Sequence, residues 1–118
     1  KAGFDIGSHT VTHPILANLD ANELQRELVD SKATLERELD RPCSVITYPN
    51  GQRNDVSREV TDAAEKAGYD IGFTLIEQFE SQKTPKFEIG RFNVTADTSH
   101  ARFESIVSGV YSLLKPGR

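Results

Sequence analysis

The sequence predicts an α/β fold in which mostly parallel strands are flanked by helices. Short β-branched or apolar runs alternate with amphipathic segments along the chain. Their order is strand, helix, strand, helix, strand, strand, helix, which favours a mostly parallel sheet with right-handed crossovers. At 118 residues the chain can bury one modest core.

The elements follow from local patterns. Residues 4–6 form a strand-like run that leads into a histidine-containing loop. A helix is predicted from Asp20, which with Glu23 makes a capping-box start, to about Asp40. The apolar stripe of this helix, which we expect to pack on the sheet, consists of Leu24, Leu28, Leu35 and Leu39. Residues 44–48 are β-branched and apolar, as is typical of a buried strand that ends in a proline-glycine turn.

The second half of the chain begins with another helix. Asp55 or Ser57 is expected to open it, and Gly68 is placed to stop it in the left-handed conformation. The remaining predicted elements are strands at 69–74 and 87–94 and a last helix from His100 or Ala101 through Leu114.

Composition excludes several classes of function. With 36% hydrophobic and 27% charged residues the chain is not typical of a disordered protein. The net charge of −4 provides no basic field for nucleic acid or an anionic membrane. The sequence contains no run of 18 apolar residues that would span a membrane. Cys43 is the single cysteine, so no internal disulfide forms, and the compartment stays open.

The most informative stretch is GSHTVTHP, residues 7–14. His9 and His13 lie four residues apart, and two imidazoles at that spacing reach one divalent ion if the backbone makes a single turn between them. Residues 8 and 10–12 are poor helix formers and Pro14 biases His13 away from the α region, so we expect a tight loop at a strand end. A surface or core histidine pair without metal is the alternative explanation.

A second motif completes a family resemblance. GSHTVTHP resembles the H-[ST]-x-x-H metal motif, and TYPNG (47–51) resembles the Tyr-Pro-x-Gly form of the next motif, of the polysaccharide deacetylases, the NodB-like carbohydrate esterase family 4. The intervening amphipathic helix and the phrase AGYDIGFT (67–74) fall in the family's order. The resemblance implies part of a distorted (β/α) barrel of the NodB type.

The resemblance also implies an activity and its site. It implies a hydrolase of non-peptide C–N bonds that removes acetyl groups from N-acetylated or O-acetylated sugars of a glycan. His9 and His13 would be metal ligands, for zinc first, with cobalt, nickel or iron as alternatives. The loop Tyr48, Pro49, Asn50 and Gly51 would line the substrate groove. The backbone N–H of Asn50 would be the oxyanion donor, although Pro49 and Gly51 are also ordinary turn formers.

One departure from the family concerns an arginine. Many members carry an arginine in the third motif that orients the catalytic aspartate, and Thr47 occupies that place here. Arg91, in the predicted strand 87–94, is the candidate replacement because it would point to the carboxyl end of the sheet. An exposed or structurally paired arginine is the alternative.

Two family motifs have no counterpart in this sequence. The Thr-Phe-Asp-Asp type motif supplies the catalytic base and the third metal ligand, and a Leu-x-His motif supplies the general acid. Residues 1–118 are therefore expected to form a single partial domain that lacks its N-terminal strands and is inactive by itself. Self-association is expected through an open sheet edge. The apolar faces expected to be uncovered lie around Phe4, Ile6, Ile46 and Ile71.

Two other functions stay open. The same scaffold could serve an amidohydrolase acting on a small non-sugar amide, or a non-catalytic domain that keeps the metal or carbohydrate groove without turnover. An intact aspartate pair would separate the two enzymes from the binding domain.

Overall fold

The computed structural model describes residues 3–111. A short 3₁₀ helix at Leu16–Asn18 precedes the regular elements. These are helix α1 (Ala21–Leu39), strand β1 (Val45–Thr47), helix α2 (Arg58–Lys66), strand β2 (Ile71–Phe73) and helix α3 (His100–Val107).

The strands form a small parallel sheet. β1 pairs with β2 in the register Val45 with Ile71 and Thr47 with Phe73. Single parallel bridges extend the sheet on both sides, from Ser8 to β1 and from residue 89 to β2. The predicted mostly parallel arrangement is confirmed, and the ends of four segments meet at one edge, where parallel α/β sheets place their sites.

Helix α1 begins as the sequence predicts. The Asp20 side chain accepts hydrogen bonds from the N–H groups of Asn22 and Glu23, and the Glu23 side chain completes the capping box. Asp40 ends the helix in the left-handed conformation. The capping box at Asp20 satisfies N–H groups that the first helical turn leaves without partners. The N-terminal boundary is therefore fixed by local chemistry.

Helix α2 is capped by Ser57, whose side chain accepts from the Val60 N–H, and not by Asp55. Gly68 follows the helix with a φ of +90°, the left-handed conformation expected of the stop residue. The core lies between the helices and the sheet. Its buried members are Leu16, Leu24, Leu28, Cys43, Ile46, Tyr48, Val60, Ala64 and Tyr69.

Two predicted strands are wrong in extent. Residues 4–6 form no strand, because pairing with β1 begins only at Ser8, whose N–H donates to the Val45 carbonyl at 2.8 Å. In the predicted strand 87–94 only Ile89 bridges β2. The next N–H, that of Gly90, donates to the Glu80 carboxylate instead of a strand.

The last helix is shorter in the described residues than predicted. Helix α3 ends at Val107, and the part of its predicted extension beyond residue 111, to Leu114, lies outside the described residues. Phe4 and Ile6 are exposed as expected, at 73% and 44%. The expectation is wrong for Ile46, which is fully buried beneath the helices, and Ile71 is half-buried. Among residues 3–111 no helix has the length and apolar character needed to cross a membrane.

Candidate metal and substrate site

The carboxyl ends of the paired segments surround an open cavity of about 870 Å³. Five residues predicted for the site lie along its wall: His9, His13, Tyr48, Asn50 and Arg91. They come from segments separated by up to 82 positions in the chain, and parallel pairing brings them to the same edge. Pro49 and Gly51 are buried and do not line the cavity.

The two imidazoles converge. The ring centroids of His9 and His13 lie 4.7 Å apart with the rings at 71°, and both side chains are exposed. The loop between them is not helical, since Thr10 and His13 have φ angles of 69° and 62°. Left-handed conformations at non-glycine residues cost energy and cluster at functional sites. The loop is bent in a way that brings the rings together.

A backbone carbonyl fixes the orientation of one ring. Nδ1 of His9 lies 2.7 Å from the Thr47 carbonyl oxygen. A carbonyl oxygen only accepts, so in the neutral ring Nδ1 carries the proton and the lone pair is on Nε2. Metal-ligating histidines are commonly held in this way, with the second nitrogen bonded to a carbonyl or carboxylate. His9 is therefore presented in a tautomer able to bind a metal.

The loop after β1 turns sharply at Asn50 and Gly51, which have φ angles of 60° and 68°. A Cβ at Gly51 would lie 2.9 Å from the Leu75 backbone nitrogen, so both the conformation and the space require glycine. Asp55 holds the turn, because its Oδ2 accepts from Asn50 Nδ2 at 2.9 Å and from the Gln52 N–H at 2.8 Å. Within residues 3–111 the Asn50 N–H donates no hydrogen bond.

Tyr48 serves the core as well as the cavity wall. Its side chain is 1% exposed, and its hydroxyl donates to the Phe87 carbonyl at 3.0 Å. Burial, together with the charge of Glu88, raises the pKa of Tyr48, so the phenol stays protonated. The predicted substrate-binding residues Tyr48, Pro49 and Gly51 are all buried, and Asn50 is the exposed member of that loop. The turn keeps its conformation because the residues around the exposed Asn50 are buried.

Arg91 lies at the far side of the cavity. Its Nε donates to the Thr74 carbonyl at 2.8 Å, and its backbone N–H donates to the Ile76 carbonyl at 3.2 Å. Partial burial lowers the pKa of the guanidinium from its usual value. In the described part of the chain no carboxylate forms an ion pair with Arg91. Its bond to the Thr74 carbonyl keeps the structurally paired alternative open.

His9 and His13 are the predicted metal ligands that the described residues bring together. Residues 3–111 contain no cluster of three histidine, cysteine, aspartate or glutamate side chains able to hold an ion. Asp5 lines the same cavity without joining such a cluster. His100 does not line it and, at the exposed start of α3, lies 3.2 Å from Glu104. The pair His9 and His13 fits part of a divalent-metal site, because imidazole nitrogens are zinc ligands and both rings line an open cavity.

Two residues that hold the site were missed by sequence reasoning. Glu27, on the polar face of α1, accepts hydrogen bonds from the histidine loop. The sequence offers Asp55 as a helix start, whereas its carboxylate accepts a hydrogen bond from the Asn50 side chain and stabilises that turn. Both contacts bridge separate segments, and no local pattern encodes them.

Comparisons with known proteins agree with one another. A family model, Polysaccharide deacetylase, matches residues 1–72. "Putative polysaccharide deacetylase YxkH" from Bacillus subtilis (strain 168) is 30% identical over 108 residues, which are 92% of this chain and 38% of that protein.

Solved structures show the same fold. The polysaccharide deacetylase BC0361 from Bacillus cereus is 27% identical with a TM-score of 0.75, over 88% of this chain and 32% of that one. The Streptococcus pyogenes deacetylase PplD, solved with acetate, has a TM-score of 0.76 at 24% identity, over 85% of this chain and 43% of that one. The chain thus spans less than half the length of each of these proteins.

Proposed function

This chain belongs to the polysaccharide deacetylase family, and we propose that it takes part in divalent-metal-dependent removal of acetyl groups from N-acetylated or O-acetylated sugars of a polysaccharide. The observation that carries the metal dependence is the convergence of the His9 and His13 rings at the edge of the sheet. A histidine pair that served only packing would have no need of exposed rings at the mouth of an open cavity.

We assign each residue of the site a role according to its position. His9 and His13 would hold the ion, zinc first, through ring nitrogens that include His9 Nε2. When bound, the ion supplies Lewis acidity, which makes water nucleophilic near neutral pH and polarises the acetyl carbonyl. The Asn50 N–H would donate to the carbonyl oxygen as negative charge develops there. The open cavity between these groups accommodates a sugar unit.

The proposal is tested by metal removal. The full-length protein is incubated with N-acetylglucosamine oligomers before and after a chelator, and then with added zinc, while released acetate is measured. We expect hydrolysis that stops with the chelator and returns with zinc. Because residues 3–111 contain no cluster of three side chains able to hold an ion, the 118-residue chain alone is expected to release no acetate. Acetate release that ignores the chelator would contradict the metal dependence.

Arg91→Ala tests the second polar group of the cavity. We propose that Arg91 is a positioning residue that orients the catalytic base, as its place on the wall of the same cavity as the histidines allows. Such a residue acts mainly on the transition state, so the variant should lower kcat by more than it raises KM. Arg58→Ala, at an exposed arginine of α2, is the matched control and should change neither. Unchanged turnover by Arg91→Ala would remove Arg91 from the mechanism.

A further inference from the structure

We propose that Glu27 is a positioning residue for the metal site: from helix α1 it holds the loop of residues 10–13 in the conformation that brings His9 and His13 together. The inference rests on the proposed function, since it concerns the affinity of this loop for a divalent ion. Glu27 touches neither histidine in the described contacts and would act only through the loop backbone.

The Glu27 carboxylate accepts three hydrogen bonds from the loop. Oε2 accepts from the N–H groups of Val11 at 2.7 Å and Thr12 at 2.9 Å, and Oε1 accepts from the Thr12 hydroxyl at 2.5 Å. Partial burial alone would raise the pKa of Glu27, but the hydrogen bonds from Thr12 and Val11 together lower it. The carboxylate is ionised at neutral pH, and charge-assisted bonds of this kind are the stronger ones.

The other end of the loop is anchored to the same helix. Ser8, fully buried, lies 2.8 Å from the Ser31 hydroxyl, oxygen to oxygen, and Ser31 follows Glu27 by one helical turn. The Tyr69 hydroxyl donates to the Leu28 carbonyl at 2.9 Å beside this pair. The start of the loop is thus fixed by buried hydroxyls and by pairing with β1. The half beyond Thr10 depends on Glu27.

The loop needs such a contact because of its backbone. Thr10 and His13 both have positive φ angles, which non-glycine residues keep only where surrounding contacts determine them. The Thr10 hydroxyl accepts from the His13 N–H at 3.1 Å, but this bond is internal to the loop and does not attach it to the fold. Without Glu27 the segment is free to relax, and His13 then moves relative to His9.

Zinc binding to the metal-free full-length protein tests the inference. Glu27→Ala removes the carboxylate that accepts all three hydrogen bonds while keeping a good helix former. We expect its Kd for zinc chloride to rise at least about 10-fold, as loss of outer-shell partners does elsewhere. Asp30→Ala is the matched control. It removes the same charge from an exposed site one turn along α1, and its Kd should equal that of the unsubstituted protein.

Hydrogen exchange of the metal-free proteins provides a readout independent of the ion. The peptide that contains Val11 and Thr12 should exchange faster in Glu27→Ala than in Asp30→Ala, while peptides from α2 and β2 keep their rates. Equal zinc affinity of Glu27→Ala and the unsubstituted protein would overturn this inference alone. No zinc binding by the unsubstituted protein would instead overturn the proposed function, and the exchange rates would still report whether Glu27 holds the loop.

Discussion

Replacing either His9 or His13 by alanine is expected to abolish metal-dependent deacetylation by the full-length protein. Each imidazole would supply one of a small number of bonds to the ion, and the other described residues provide no third ligand that could substitute. Loss of a ligand should therefore weaken zinc binding by more than the roughly 10–100-fold that loss of an outer-shell partner costs. Zinc bound after dialysis and acetate released from N-acetylglucosamine oligomers measure the two effects.

The third histidine provides a matched control. His100 is the exposed first residue of α3, and it does not line the cavity. His100→Ala should keep both zinc and turnover, which would separate the loss of a ligand from the loss of any imidazole. Full zinc occupancy in His13→Ala would show that the facing rings serve packing and that the ion, if one binds, is held elsewhere.

Much of this fold can be predicted from the sequence because local interactions determine it. The Asp20 capping box fixes the start of α1, Gly68 ends α2, and the apolar run around Ile46 becomes strand β1, whose central residue is fully buried. Each of these features depends on residues within a few positions of one another. Parallel pairing of β1 with β2 then follows from the helix between them.

The two strand predictions were wrong because strand pairing depends on residues elsewhere in the chain. Residues 87–94 alternate as a strand would, but Gly90 bonds to Glu80 and Arg91 to Ile76, both contributed by the loop after β2. Phe4 and Ile6 flank Asp5 in the alternating pattern of a strand, but residues 4–6 have no strand partner in the described chain. Alternation reports which face is apolar, whereas pairing depends on which neighbour is available.

The same distinction applies to the site. The poor helix formers between His9 and His13, together with Pro14, are a local signal, and the bent, non-helical loop that they predict is confirmed. The substrate loop was read from its proline and glycine, but the burial of Tyr48 beneath it depends on β2 and residue 87, far along the chain. The roles assigned to Asn50 and Arg91 stay predictions, although both line the cavity with the histidines.

Gly72→Ala is expected to destabilise the protein because the added methyl group would displace the buried Tyr48 side chain. A Cβ at Gly72 would lie 2.3 Å from the Tyr48 hydroxyl oxygen, 2.9 Å from Cζ and 3.1 Å from the Phe87 Cα. Tyr48 is 1% exposed, and a close-packed core offers it little room to move. Replacing glycine within a strand would by itself gain roughly 0.5–1 kcal/mol, so the sign depends on the clash.

The clash outweighs that gain. Overpacking costs about 1–3 kcal/mol, and displacing the Tyr48 hydroxyl from the Phe87 carbonyl leaves a buried polar group unsatisfied at a further ~1–3 kcal/mol. We therefore expect Gly72→Ala to lower the free energy of unfolding by about 2–4 kcal/mol, seen as a lower denaturant midpoint. The loop of Asn50 lies directly after Tyr48, so the site should loosen as well.

The double variant with Tyr48→Phe separates the clash from other effects. Phenylalanine lacks the oxygen that the new Cβ would meet first, so the loss in Gly72→Ala/Tyr48→Phe should be smaller than the sum of the two single losses. Tyr48→Phe alone should lose only about 1 kcal/mol, the contribution of one hydrogen bond. Strict additivity would show that the Phe87 backbone, and not the tyrosine, opposes the alanine. An unchanged or higher midpoint for Gly72→Ala would mean that the tyrosine ring moves freely, which its burial argues against.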